Sequence, residues 1–377
     1  MSGVAMSGVG VSGVGGSGVG RSGVAGSGVS SAVRRLVQAM PKAELHLHLD
    51  GCLRPVTAIE LAQAAGIEAP TTWQGMFDRL VAAEHPGSQA ELLKSFELPL
   101  QLMQTREALS RITRELVEDK AADRVQYMEI KWAPAFHLQA GLTLDEVIET
   151  VAQAAAAAAQ RCNVVVRLTV VALRSADPAT NVGVARAAAQ ARAAGVTGFD
   201  LAGFEAAHPD PTVHAEAFEV ARAAGLGITV HTGELPDDGA LVWRALEVHP
   251  NRIAHGASAI ADAALVAELA RRGVTLDLCP TSNVQAGTVP ELAQHPLVQL
   301  LRLGVPVTIN TDDTTISDIT LSEEMLACIE LLGLTLPELW QCTMHALAAA
   351  FVDDHTRAAL LEVFTAWAAW VPELHTH

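Results

Sequence analysis

Eight short runs rich in β-branched and apolar residues recur along this chain, at 43–49, 125–132, 164–173, 198–202, 227–232, 252–255, 274–278 and 305–311. Between them lie longer Ala- and Leu-rich stretches of helical length, 142–160 and 181–194 among them. A helical crossover carries the chain back to the starting edge of a sheet, so successive strands joined in this way run parallel. Eight such units can close a parallel sheet on itself, and the alternation predicts an α/β fold of the (β/α)8 TIM barrel type. The 377 residues suffice for one barrel with extra helices, and a hydrophobic share of 50% supplies its core.

Two segments depart from the alternation. Residues 1–30 repeat Ser-Gly-Val every five positions from Ser2 to Ser27, a composition that buries too little surface to offset its ordering entropy. They read as a flexible tail, and 31–377 as a single barrel domain opening with a short helix near 33–37. The interval 53–125 is far longer than one crossover helix, and Leu92, Leu93, Phe96, Leu100 and Met103 recur in it at roughly helical spacing. It has room for extra helices forming a lid after strand 1, although helices packed on the barrel wall would show the same periodicity.

The bulk numbers exclude several partners. A net charge of −17, from 42 acidic against 25 basic residues, repels phosphate backbones and anionic lipid, so neither nucleic acid nor a membrane surface is expected. The five cysteines show no C-x-x-C spacing, which argues against both a disulfide framework and a thiolate zinc knuckle. No apolar run reaches membrane-spanning length and no signal-like segment opens the chain, so a cytoplasmic protein is expected.

Chemistry-bearing residues concentrate where a barrel gathers its active site, at the C-terminal ends of the strands. The first run ends in Glu44-Leu45-His46-Leu47-His48-Leu49-Asp50; alternation places both imidazoles on one face, an arrangement suited to a transition metal. His231 closes the fifth run ahead of Gly233 and Glu234, His255 closes the sixth, and Asp312-Asp313 closes the eighth. Two adjacent carboxylates at one buried mouth repel each other unless a cation or hydrogen-bond donors compensate them. Glu234, near an apolar lid, is a candidate proton donor at neutral pH.

The blocks K-A-E-L-H-L-H-L-D-G, D-L-A-G-x-E, V-H-T-G-E, R-I-A-H-G, C-P-T-S-N and N-T-D-D, spread in this order over 42–313, resemble those of the adenosine deaminase family. The resemblance implies one Zn2+ per chain on His46, His48, His231 and Asp312, activating a water that attacks C6 of a purine nucleoside. It further implies that Glu234 protonates N1, that His255 and Asp312 orient the water and accept its proton, that the Gly203 N–H meets N3, and that Asp313 meets N7. Asp50 stands where the family places a ribose 5′-hydroxyl acceptor; adenine deaminases usually carry Glu there. Adenosine and 2′-deoxyadenosine are therefore the expected substrates, in purine salvage, with adenine, N6-modified adenosine and aminodeoxyfutalosine as alternatives.

Phe204, where familiar members often carry another acid, leaves the purine edge less defined. Related two-metal hydrolases need a bridging lysine at the fourth strand's end, but the only lysines are Lys42, Lys94, Lys120 and Lys131. Deaminases built on P-C-x-x-C are excluded by the absence of that motif. A binding protein descended from such an enzyme would keep the ligands and lose Glu234 or His255; both are present.

Overall fold

A computed structural model describes residues 28–83 and 87–374. Its strands are β1 (Lys42–His48), β2 (Val125–Trp132), β3 (Val165–Leu173), β4 (Val196–Ala202), β5 (Gly227–Thr232), β6 (Arg252–His255), β7 (Thr275–Leu278) and β8 (Val307–Ile309). They neighbour one another in sequence order, and each adjacent pair from β1 to β8 is parallel. The fold is the (β/α)8 barrel that the alternation predicts.

The seam between β8 and β1 is closed mainly by side chains. The run 305–311 keeps only Val307–Ile309 as strand, and the next residue, Asn310, still donates its N–H to the Leu278 carbonyl (2.9 Å) while its side chain serves the seam. Its Oδ1 accepts the backbone N–H of Leu45 (2.9 Å) and His46 (3.2 Å), while its Nδ2 donates to the Leu278 carbonyl (3.1 Å) and Thr308 Oγ1 (2.9 Å). One residue pair, Leu47 and Asp312, completes a parallel bridge in which the Asp312 carbonyl accepts the His48 N–H at 2.7 Å and the Asp312 N–H reaches the His46 carbonyl at 3.2 Å. The closure of the barrel thus brings the first and last strand ends into register.

Helix α1 (Ser31–Ala39) precedes the barrel, with the Ser30 hydroxyl accepting the Val33 N–H as its cap. Residues 1–27, and with them nearly all of the Ser-Gly-Val repeat expected as a tail, lie outside the described residues. After β1 come α2 (Pro55–Ala65), α3 (Trp73–Leu80), α4 (Gln89–Leu92), a 3-10 turn (Leu93–Phe96), α5 (Glu97–Leu102) and the crossover helix α6 (Arg106–Ala122). Three of the periodic apolar residues of this interval divide between the two uses open to them, while Leu93 is exposed. Leu92 and Phe96 join Ala82, Ala286 and Ile316 in a satellite cluster beside the loops that follow β7 and β8, whereas Met103 enters the main core. The segment around α4 is therefore a lid docked over the C-terminal mouth.

The remaining ring consists of α7 (Leu144–Cys162), α8 (Pro178–Gln190), α9 (Ala215–Ala223), α10 (Ala240–Ala245), α11 (Ala263–Arg272), α12 (Pro280–Gln285) and α13 (Leu297–Arg302), followed by α14 (Leu321–Leu332), α15 (Leu336–Ala349) and α16 (Asp354–Ala368). The opposite end of the barrel is plugged. Arg252, fully buried, pairs with Asp277 (2.9 Å) and Glu129 (2.5 Å), and its guanidinium lies 3.8 Å from the centre of the Phe351 ring. Gly227 is required there, since a Cβ on it would come within 2.2 Å of Phe351 Cδ1. Among the described residues no helix is long and apolar enough to cross a membrane.

Candidate active site

Four ligand atoms converge at the mouth. His46 Nε2 lies 3.2 Å from His48 Nε2, which lies 3.0 Å from His231 Nε2; Asp312 Oδ1 is 3.1 Å from His46 Nε2 and 3.4 Å from His48 Nε2. Burial, reinforced by the Lys131 charge, holds His46 well below the usual imidazole range, and burial brings His48 down to about 3. A neutral imidazole carries a single N–H, so so many crowded ring nitrogens cannot all satisfy one another as hydrogen-bond partners. A tetrahedral cation with bonds of about 2.0–2.1 Å separates its ligands by roughly 3.3–3.4 Å, close to the spacings seen here. The donor set fits a metal cofactor.

The orientation of these ligands is over-determined. His231 Nδ1 stands 3.0 Å from Asp200 Oδ2, which also receives Lys131 Nζ at 2.8 Å, so the imidazole turns Nε2 toward the centre. Ser282 Oγ donates to Asp312 Oδ2 at 2.7 Å. Asp312 (φ +62°) and His255 (φ +67°) both adopt left-handed backbone, which costs a non-glycine residue on the order of 1 kcal/mol or more. At Asp312 the bridge to β1 holds this conformation in place.

Beside this candidate ligand set sits a carboxyl with a separate character. Burial, aided by the Glu205 and Asp312 charges and opposed by His231, pushes Glu234 up to about 7. Its Oε1 is 3.3 Å from His255 Nε2, its Oε2 accepts the Gln89 amide at 2.7 Å, and its backbone carbonyl accepts Thr288 Oγ1 at 2.5 Å. The His255 tautomer follows from a chain of hydrogen bonds. The Leu297 N–H donates to His295 Nδ1 (3.2 Å), so neutral His295 carries its proton on Nε2 and donates to Asn283 Oδ1 (3.0 Å). Asn283 Nδ2 then donates to His255 Nδ1 (3.1 Å), leaving the proton of neutral His255 on Nε2, the nitrogen that faces Glu234 and, at 3.7 Å, Asp312 Oδ2.

Asp50 and Asp313 complete the rim. Asp50 is buried, its Oδ1 has no hydrogen-bond partner, and burial pushes its carboxyl up to about 7. Asp313 is raised further above the carboxylate range, by burial first and then by the Asp312, Asp50 and Glu234 charges, and its Oδ1 is also unpartnered. Gly51 accommodates it, for a Cβ at that position would fall 1.6 Å from Asp313 Oδ1. Gly203, at φ +122°, turns the chain out of β4 between Ala202 and the half-exposed Phe204. The predicted site residues thus occupy one end of the barrel.

The family described as Adenosine deaminase matches residues 41–367. The chain belongs to the adenosine deaminase family. An adenosine deaminase of Mycolicibacterium gilvum is 37% identical over 345 residues, covering 86% of this chain and 94% of that protein. Among solved structures, a zinc-bound amidohydrolase of Burkholderia ambifaria superposes with a TM-score of 0.83 at 27% identity, over 94% of this chain and 96% of the other. An adenine deaminase of Arthrobacter aurescens gives a TM-score of 0.80 at 28% identity, over 88% and 100%.

In this adenosine deaminase family member, several supporting residues escape a reading of strand-end motifs. Asp200 and Lys131 orient His231, Glu205 accepts the Gly233 and Glu234 N–H groups (3.1 Å each) and Thr232 Oγ1 (2.5 Å), and Asn283 with His295 sets the His255 tautomer. Asp200 and Glu205 lie inside the D-L-A-G-x-E block, and Lys131 near the end of β2, so their strand-end position was the available signal. Gln89 has no such signal: it comes from the lid.

Proposed function

We propose that this chain hydrolyses the 6-amino group of adenosine and 2′-deoxyadenosine, yielding inosine or 2′-deoxyinosine and ammonia, as a step of purine salvage. The observation that carries the reading is Glu234: a buried carboxyl that keeps its proton to about 7, immobilised beside His255 and the three-histidine cluster. His46, His48, His231 and Asp312 would hold one Zn2+, which when bound lowers the pKa of a water and makes it the nucleophile.

The chain's own groups supply the rest. Glu234 gives its proton to N1 and so makes C6 electrophilic. The expectation from sequence shares acceptance of the water's proton between His255 and Asp312; the tautomer chain leaves His255 Nε2 already protonated, so it donates and orients, and acceptance falls to the Asp312 carboxylate. Addition of the water oxygen to C6 makes that carbon tetrahedral; the C6–N bond then breaks, and the amino group leaves as ammonia with the proton that Asp312 had accepted. N7 of a purine is an acceptor only, so Asp313 must be protonated to hydrogen-bond it, and its raised pKa meets that need. The Gly203 N–H meets N3, and the unpartnered Asp50 Oδ1 accepts the ribose 5′-hydroxyl.

A substrate panel tests the reading: adenosine, 2′-deoxyadenosine, adenine, N6-methyl derivatives and aminodeoxyfutalosine, each followed by ultraviolet absorbance and ammonia release. The two nucleosides should show the highest kcat/KM. Preference for adenine, the substrate of the Arthrobacter aurescens structure, would remove the assigned role of Asp50.

A further inference from the structure

Gln89 is buried at 4% exposure although it lies on the lid helix α4, and both ends of its amide are engaged. Its Oε1 accepts the Glu205 N–H at 3.1 Å and its Nε2 donates to Glu234 Oε2 at 2.7 Å. A backbone N–H can only donate, so the amide orientation is settled: the oxygen faces Glu205 and the NH2 faces Glu234. The Glu234 N–H in turn donates to Glu205 Oε2 at 3.1 Å, closing a ring of three hydrogen bonds among the lid, the loop after β4 and the loop after β5.

We infer that Gln89 is a positioning residue that latches the lid onto the Glu234 carboxyl. The inference rests on the reading of Glu234 as the proton donor. The Gln89 amide holds Oε2 at 2.7 Å while the His255 Nε2–H faces Oε1 at 3.3 Å, so the carboxyl is fixed in its plane between two N–H groups, one of them supplied by the lid. The latch engages only with the lid down. Leu92 and Phe96 seat α4 and the turn after it against Ala82, Ala286 and Ile316, and Gly287 lies so near the lid loop that a Cβ on it would reach the Gly87 carbonyl at 3.0 Å. Lifting the lid breaks both Gln89 bonds at once, freeing the Glu234 carboxyl to rotate and leaving the Glu205 N–H without its acceptor. Closure therefore does more than exclude water: it assembles the oriented acid.

The test uses the metal-loaded full chain and the variants Gln89→Leu and Gln89→Glu. Gln89→Leu should lower kcat roughly 10- to 100-fold with KM within about threefold, as expected when an oriented acid loses a hydrogen bond and a buried oxygen is left unpartnered. Gln89→Glu sets a third carboxyl between Glu205 and Glu234 and should lower kcat at least as far. Independently of turnover, hydrogen exchange at the Glu205 and Glu234 amides should accelerate in both variants, while β3 amides stay protected. Retention of kcat by Gln89→Leu, or unchanged exchange at Glu205, overturns the latch. Failure of the wild-type chain to deaminate any 6-aminopurine would overturn the functional reading instead, with the exchange measurement still deciding whether the lid is latched.

Discussion

His231, near the end of β5, and Glu234, in the loop that follows, lie three positions apart, yet their surroundings give them separable jobs. His231 is gripped from behind by Asp200 and presents Nε2 to His48, so His231→Ala removes one of the four proposed ligand atoms and should cost bound metal and activity together. Glu234 makes its contacts with Gln89, His255, Thr288 and Glu205. Glu234→Ala should therefore keep the metal stoichiometry of wild type while losing roughly 100- to 10,000-fold in kcat, the usual scale for a missing general acid. Metal content by atomic emission alongside turnover reads the two losses separately; a metal-free Glu234→Ala protein would contradict the division. Glu234→Gln, which keeps the shape but has no acidic proton, should be as inactive as the alanine variant.

At the scale of elements, the helices report on stability rather than chemistry. Helix α15 opens with a capping box in which Thr335 and Glu338 exchange hydrogen bonds, and Glu338 also takes Arg302 Nε at 2.7 Å. The Arg302 hydrogen bonds first, then those of Thr335, hold the Glu338 carboxyl at about 2. A depressed carboxyl stabilises the fold above its unfolded pKa of about 4.3, and that contribution disappears as pH falls through the folded value. Glu338→Gln should consequently lower stability by about 1 kcal/mol at pH 7, given a cap and a half-exposed ion pair, and the difference from wild type should shrink below about pH 4. Urea midpoints compared across that range check the sign. The plug at the barrel floor makes a second element-level case. Gly227→Ala drives a methyl into Phe351 and should destabilise by about 1–3 kcal/mol, the usual cost of overpacking, with partial recovery in the Gly227→Ala/Phe351→Leu double variant. Its kcat should match wild type, because the site lies at the other end of the strands.

For the molecule as a whole, the barrel was legible because every strand carries its own apolar run, and the ligands were legible because barrels collect polar residues at one set of strand ends. The side-chain closure of the seam was not, since Asn310 reads as one more polar residue until its Oδ1 is seen to accept two N–H groups of β1. Gln89 was equally silent, because its partners lie on β4 and β5 loops more than a hundred residues away. That same seam sets the last expectation. The proposed metal ligands come from β1, β5 and the segment just after β8, so a bound cation would tie together the two strand ends joined by a single backbone bridge. A metal at about a thousand times its Kd contributes on the order of 4 kcal/mol to a state that alone can bind it. Chelation should thus lower Tm by roughly 5–10 °C in a domain of this size. Hydrogen exchange should place the loosening at 44–50 and 308–314, leaving β2 and β3 protected. A uniform loss of protection around the ring would show instead that the metal supports the whole barrel and not its seam.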